Sequence, residues 1–164
     1  MIKYTIAIVE DEVDILDNLN SLLSHEGIYE VKAFSDPREA YESLKGNLPD
    51  VLVTDLSMPK MSGLELISSL RSYFPDLPVV ILSAYVDFKH VVKALRLGAT
   101  DILEKPYKEE QVLEIVAVAA ELGRARKKVL ELIKQTGDKQ SAEILESMKK
   151  IQELMAIRVF GDDS

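Results

Sequence analysis

Three carboxylates in this 164-residue chain stand where chemistry would need them. Glu10 and Asp11 directly follow the apolar run Ile6-Ala7-Ile8-Val9, and Asp55 directly follows Val51-Leu52-Val53-Thr54. If the two runs are neighbouring strands, the three side chains converge on one small concavity. A single acid at a strand end more often caps a helix or faces solvent, and that reading suits Asp14 and Asp36. Three acids together repel one another and push a pKa upward unless a cation joins them. A hard divalent ion resolves the repulsion, and Mg²⁺ takes one or two protein carboxylates plus waters and phosphate oxygens. Ser83 ends the run that begins at Val79, and Lys105 ends the one that begins at Asp101, both at the same edge. A hydroxyl, an ammonium and a metal ion around one carboxylate suit a phosphoryl group in transfer, whose charge spreads over its equatorial oxygens. Asp55 is then the nucleophile, forming a mixed anhydride.

The elements that must position these groups follow from the pattern of apolar residues. Five short runs read as strands: Ile6-Ala7-Ile8-Val9, Val31-Lys32-Ala33-Phe34, Val51-Leu52-Val53-Thr54, Val79-Val80-Ile81-Leu82 and Asp101-Ile102-Leu103. The first, third and fourth are nearly continuous in apolar residues, as in strands buried on both faces of a parallel sheet. Helical spacing lies between them, in Ile15-Leu19-Leu22-Leu23, Ala40-Leu44, Leu64-Ile67-Leu70 and Val91-Val92-Leu95, and a fifth helix is predicted from near Lys108. This alternation with right-handed crossovers predicts an α/β fold: a doubly wound (βα)5 parallel sheet of flavodoxin-like type, order 2-1-3-4-5, with further C-terminal helices. Such sheets gather functional groups at the carboxyl ends of their strands, where all five residues fall.

With order and strand context in place, the sequence resembles the receiver domain of two-component response regulators. The resemblance rests on Ile8-Val9-Glu10-Asp11-Glu12, Asp55-Leu56-Ser57-Met58-Pro59-Lys60-Met61-Ser62-Gly63, Ile81-Leu82-Ser83-Ala84 and Glu104-Lys105-Pro106-Tyr107, and runs from about residue 3 to residue 122. It implies that Asp55 accepts a phosphoryl group from the phosphohistidine of a histidine kinase or phosphotransfer protein. It also implies Mg²⁺ held by Glu10, Asp11, Asp55 and the backbone carbonyl of Ser57. Lys105 would pair with the phosphoryl oxygens, across a cis Lys105–Pro106 bond, and Ser83, beside Ala84, would turn toward the phosphate as the switch. The family commonly places an aromatic switch residue three before the lysine, and here that position is Ile102. Coupling through an inward-moving ring is therefore weakened or replaced, and Ile102 has the alternative of simply packing in the core. Ser57 and Tyr85 sit where the family tunes autodephosphorylation, and a bulky Tyr85 is expected to obstruct in-line water and lengthen the life of the phosphoryl group.

Composition narrows the classes further. There is no cysteine, so disulfides, thiol nucleophiles and cysteine-bound metal are excluded, and two histidines make a zinc enzyme a poor fit. No apolar window reaches membrane-spanning length and no signal-peptide layout opens the chain, so a cytoplasmic protein is expected. Residues 1–120 carry 11 Lys and Arg against 20 Asp and Glu, an acidic body that disfavours direct nucleic-acid binding. An aspartate-nucleophile phosphohydrolase is the competing class. Such an enzyme needs a second acid closely following the nucleophile and a substrate cap, and Asp55 is followed by Leu56-Ser57. Signalling through self-directed phosphotransfer and autodephosphorylation, rather than turnover of a substrate, is the expectation.

Residues 1–122 are expected to form the receiver and 123–164 a helical extension. Ile115, Leu122 and Val129, with Val118, Ala125 and Leu132, make a three-heptad a/d pattern that either dimerises or packs back. Gly123 costs roughly 1 kcal/mol inside a helix and offers a break. The cations Arg124, Arg126, Lys127 and Lys128 read as a solvated face. After Thr136-Gly137-Asp138 a last helix is predicted from about Ser141 to Val159, with Ile144, Met148, Ile151 and Met155 on one stripe. Phosphorylation, adding close to two negative charges, is expected to change homodimerisation or a protein contact through residues 86–135. A receiver cut from a longer transcriptional regulator is the remaining alternative.

Overall fold

A computed structural model describes residues 3–84 and 86–137, and beyond them residues 139, 140, 142–144, 146, 147 and 150. Strands and helices alternate strictly: β1 (Tyr4–Val9), α1 (Val13–His25), β2 (Tyr29–Phe34), α2 (Pro37–Leu44), β3 (Val51–Thr54), α3 (Gly63–Arg71), β4 (Val79–Ser83), α4 (Phe88–Arg96), β5 (Asp101–Glu104) and α5 (Glu109–Thr136). The strands form one parallel sheet in the order β2-β1-β3-β4-β5. This is the doubly wound flavodoxin-like arrangement that the apolar pattern predicts.

Strand residues alternate between two cores because successive side chains point to opposite faces. Ile6, Ile8, Val51, Val53, Val80 and Leu82 pack with α1 and α5. Ala7, Val9, Leu52, Val79 and Ile81 pack with α2, α3 and α4. Both faces are covered, which is why Ile6 to Val9 of β1, Val51 to Val53 of β3 and Val79 to Leu82 of β4 are apolar without interruption. Helices α2, α3 and α4 start on side-chain caps. Asp36 accepts from the Arg38 amide at 2.9 Å, with Pro37 opening α2, so the solvated or capping role assigned to Asp36 is the capping one. Ser62 and Glu65 form a capping box at α3, and Asp87 accepts from the His90 amide at 2.8 Å at α4.

One arginine ties the second layer together. Arg71, at the end of α3, donates to the carbonyls of Leu97 at 2.7 Å, Gly98 at 3.0 Å, Phe74 at 3.2 Å and Leu77 at 2.6 Å. Burial lowers its pKa to about 10, and the nearby Arg126 adds to the shift. The guanidinium supplies donors to carbonyls that end α4 and the α3–β4 loop, the groups a helix C-terminus leaves unmatched.

Helix α5 takes one of the two courses open to it and departs from its prediction in one respect. It runs unbroken through Gly123, and glycine stands there because the helix passes so close to the amino-terminal edge of the sheet that no side chain fits. A Cβ on Gly123 would stand 2.1 Å from the carbonyl oxygen of Asp50. Three of the four cations after it are also not a solvated face. Arg124 donates to the Lys3 carbonyl at 2.7 Å and stacks 3.6 Å from the centroid of the Tyr4 ring. Arg126 donates to the Asp76 carbonyl at 2.9 Å, and Lys127 to the Leu48 carbonyl at 3.0 Å and to the Asp50 carboxylate at 2.8 Å. Asp50 in turn accepts from the Thr5 amide at 2.8 Å. Only Lys128 of the four is exposed.

The buried side of α5 is Val112, Val116, Ala119, Ala120 and Gly123. Of the a/d residues, Ile115 packs against the core, whereas Val118, Ala125, Val129 and Leu132 are exposed. The helix ends at Gly137, whose φ of 62° is the left-handed cap conformation and whose amide donates to the Ile133 carbonyl at 2.9 Å. Residues 139, 140, 142–144, 146, 147 and 150 are again helical, with Ile144 exposed, while Met148, Ile151 and Met155 of the predicted stripe lie outside the described residues. Among the described residues no helix is long and apolar enough to cross a membrane.

Candidate functional site

Register brings the acids together. Val9 of β1 pairs with Thr54 of β3, so Glu10 and Asp55 leave adjacent strands side by side, and the Asp55 amide donates to the Val9 carbonyl at 3.1 Å. Asp11 follows in the loop to α1. Each of Glu10, Asp11 and Asp55 offers a carboxylate oxygen, and the three lie within 4.8 Å of one another. On the other side of β3, Ser83 ends β4 opposite Glu104 of β5, and the Lys105 amide donates to the Ser83 carbonyl at 2.8 Å. The Lys105–Pro106 peptide is cis.

Lys105 spans the cluster. Its Nζ lies 2.8 Å from Glu10 Oε2 and 3.4 Å from Asp55 Oδ2. Glu10 and Asp55 are only 1% and 6% exposed, so one ammonium faces two buried carboxylates with a third beside them. Burial raises the Glu10 pKa, against the hydrogen bonds from Lys105 and from the Glu12 amide, and the Asp55 charge pushes the same way as burial. For Lys105 burial works against the ammonium, yet the hydrogen bond to Glu10 and the charges of Glu10 and Asp55 outweigh it, and its pKa is raised. The site therefore keeps its cation and remains short of positive charge.

A divalent cation fits that deficit. Asp11 Oδ1 is buried without a hydrogen-bond partner, an arrangement that costs free energy unless something positive faces the oxygen. An all-oxygen set of carboxylates selects Mg²⁺-like ions over zinc, which prefers nitrogen and sulfur. The oxygens of Asp55 are held unequally: Oδ1 accepts from the Leu56 amide at 2.7 Å, and Oδ2 faces Lys105.

The structure therefore brings Glu10, Asp11, Asp55, Ser83 and Lys105 to one edge of the sheet. Ser83 is buried there, with Ala84 exposed beside it. Ser57 is exposed in the loop from β3 to α3, and Tyr85 lies outside the described residues. Ile102 is half-buried and packs against the core between the sheet and α2–α4, the alternative open to it from sequence. Two supporting residues belong to the Asp55–Gly63 motif but had no role assigned from sequence. Gly63 opens α3 where a Cβ would stand 2.0 Å from the Asp55 carbonyl oxygen, so only glycine lets the helix close down on the loop. Lys60 takes a φ of 72° in that loop and pairs with Asp36 at 3.2 Å. An apolar cleft of about 510 Å³ adjoins Lys105, between Leu19 and Leu22 of α1 and Pro106 and Tyr107 after β5.

A five-stranded sheet of this order carrying three acids, a hydroxyl and a lysine at its carboxyl edge defines a phosphoacceptor-type signalling fold. The chain belongs to the response regulator receiver domain family, which it matches over residues 6–117. It is 33% identical over 116 residues, 71% of this chain and 24% of the relative, to the DNA-binding transcriptional regulator NtrC of Proteus hauseri. It is 40% identical over 104 residues, 63% of this chain and 31% of the relative, to the Regulator of RpoS of Escherichia coli K12. Among solved structures it resembles a response regulator receiver domain protein from Clostridium thermocellum, with a TM-score of 0.67 and 30% identity, covering 77% of this chain and 98% of that one. The chain spans only a quarter to a third of the length of these two relatives.

Proposed function

We propose that this receiver takes a phosphoryl group on Asp55 from the phosphohistidine of a histidine kinase or phosphotransfer protein, in a Mg²⁺-dependent reaction in the cytoplasm. The observation that carries the reading is the orphaned Asp11 oxygen in a cluster where Lys105 already bridges Glu10 and Asp55. One Asp55 carboxylate oxygen forms the new O–P bond as the P–N bond to the donor imidazole breaks, and the electron pair of that bond leaves with the imidazole nitrogen. Lys105 sits to balance charge on the transferred oxygens, and Ser83 at the adjacent strand end to donate a hydrogen bond. Glu10, Asp11, Asp55 and the Ser57 carbonyl would hold Mg²⁺, which when bound supplies the remaining charge neutralisation. The chain's own activity is self-directed phosphotransfer and autodephosphorylation. The output is a change in homodimerisation or in a protein contact through residues 86–135, a reading favoured by the exposed apolar stripe Val118, Ala125, Val129 and Leu132.

Labelling with acetyl phosphate tests the chemistry. The wild type is expected to take up one phosphoryl group with Mg²⁺ present and none with the metal chelated, and Asp55→Asn to take none. Continuous turnover of a small phosphomonoester would overturn the reading in favour of a phosphohydrolase. A second reading, a receiver within a longer transcriptional regulator, is favoured by the small share of NtrC that the chain spans. Sedimentation with and without beryllofluoride tests the output, and identical assembly and partner affinity would reject the route through α5.

A further inference from the structure

Thr54 stands out in β3. The strand is otherwise Val51, Leu52 and Val53, and Thr54 is 1% exposed. A hydroxyl buried among apolar side chains is unfavourable unless it is bonded, and a valine would fill the same volume. The Thr54 hydroxyl donates to the backbone carbonyl of the next residue, Asp55, at 2.9 Å. That carbonyl belongs to the peptide unit joining Asp55 to Leu56. The N–H of the same unit donates to Asp55 Oδ1 at 2.7 Å.

A peptide unit is rigid and planar, so fixing the direction of its C=O fixes its N–H on the opposite side. The Thr54 hydroxyl therefore acts on the Asp55 carboxylate through one rigid plane. The preceding peptide is fixed as well, by the Asp55 amide on the Val9 carbonyl at 3.1 Å. On the far side Gly63 abuts the same Asp55 carbonyl oxygen, and the Gly63 amide donates to the Leu56 carbonyl at 2.8 Å. The consequence is one orientation of the carboxylate, with Oδ1 held on Leu56 and Oδ2 turned to Lys105. Charged groups around the nucleophile do not supply this; they attract the carboxylate but do not set its plane.

We propose that Thr54 is a positioning residue for the Asp55 nucleophile, acting through the Asp55–Leu56 peptide and touching neither metal nor phosphoryl group. The proposal rests on Asp55 as phosphoacceptor, and its test separates the two. Thr54→Val and Thr54→Ala remove the hydroxyl, with and without the replacing methyl, and Thr54→Ser keeps it. At saturating Mg²⁺ and acetyl phosphate, both hydroxyl-free variants are expected to label about five- to tenfold more slowly, the effect of one lost hydrogen bond. The Mg²⁺ midpoint and the KM for acetyl phosphate are expected to stay within about twofold of wild type. Hydrogen exchange of the Leu56 amide, followed by NMR without any phosphoryl donor, is expected to accelerate by a similar factor, and Thr54→Ser to restore both rates. Wild-type rates of labelling and exchange in Thr54→Val overturn the proposal, as does a Thr54→Ser variant as impaired as Thr54→Val. Should the wild type take no label, the phosphoacceptor reading fails, and Leu56 exchange still decides whether Thr54 fixes the carboxylate.

Discussion

Replacing Gly123 by alanine sets two physical effects of opposite sign against each other. In an ordinary helix interior the change stabilises by roughly 0.8–1 kcal/mol, because alanine loses less backbone entropy. Here the new Cβ would lie 2.1 Å from the Asp50 oxygen, 3.0 Å from its carbonyl carbon and 3.3 Å from Pro78 Cγ. Ordinary contact needs about 3.4 Å or more, so α5 and the chain before β3 must part by about 1 Å. Neither is the free end of a flexible side chain. Overpacking of this kind costs about 1–3 kcal/mol. Separation also stretches the Lys127 bonds to Asp50 and Leu48 and the Arg124 bond to Lys3, partly exposed bonds each worth at most about 1 kcal/mol. The net expectation is a loss of about 2 kcal/mol in urea unfolding, with a fall in Tm of roughly 5–10 °C for a domain of this size. Asp50→Asn in the same background should change little further, because the contact is already disturbed. A Gly123→Ala protein as stable as wild type, or more stable, would refute the close approach and with it the docking of the cationic turn.

Other expectations concern the acidic edge and its neighbour Arg71. The raised Glu10 pKa means that the metal-free folded state binds a proton more readily than the unfolded chain. Its contribution to metal-free stability is full below the unfolded glutamate pKa and is lost as pH rises through the folded value, whereas Mg²⁺ affinity runs the other way. Calorimetric Mg²⁺ titrations from neutral pH down to about pH 5 should show affinity falling earlier than an ordinary glutamate would impose, and a flat profile would contradict it. Asp11→Asn should abolish stabilisation by Mg²⁺, which for wild type is about 2.7 kcal/mol at a hundredfold excess over Kd, read as the shift in Tm. Lys105→Met leaves two buried carboxylates without their cation and should destabilise the metal-free protein by about 3 kcal/mol, with part of that regained on adding Mg²⁺. Arg71→Lys keeps the charge but cannot reach four carbonyls, and should lower stability by about 2 kcal/mol in urea.

The legible parts of this protein are those whose cause repeats along the chain. Continuous apolar runs announced β1, β3 and β4, and the strand order, with β5, placed Glu10, Asp11, Asp55, Ser83 and Lys105 at one edge. Asp36 was open to a capping reading because a cap has a local spacing. What stayed hidden depends on backbone atoms that have no letter in the sequence. Arg124, Arg126 and Lys127 looked solvated because their partners are the carbonyls of Lys3, Asp76 and Leu48. Gly123 left a break open as an alternative because the reason for it is a carbonyl at Asp50, distant in sequence. Thr54 reads as one more β-branched strand residue, and Arg71 as an ordinary helix-end cation. The a/d spacing in α5 was visible, but whether it faced the body depended on the stripe of small residues beside it, Ala119, Ala120 and Gly123, that takes the buried position.

Helix α5 is 28 residues long, packs on the sheet through Val112, Val116, Ala119 and Ala120, and is pinned again where Gly123 to Lys127 meet the amino-terminal edge. At 1.5 Å per residue, about 20 Å of rod lies packed before that contact, toward the acidic edge, and about 14 Å lies beyond it. A rod held along its packed length shifts as one body, so a partner seated on that far arm would feel movement of the β5–α5 corner without touching the sheet.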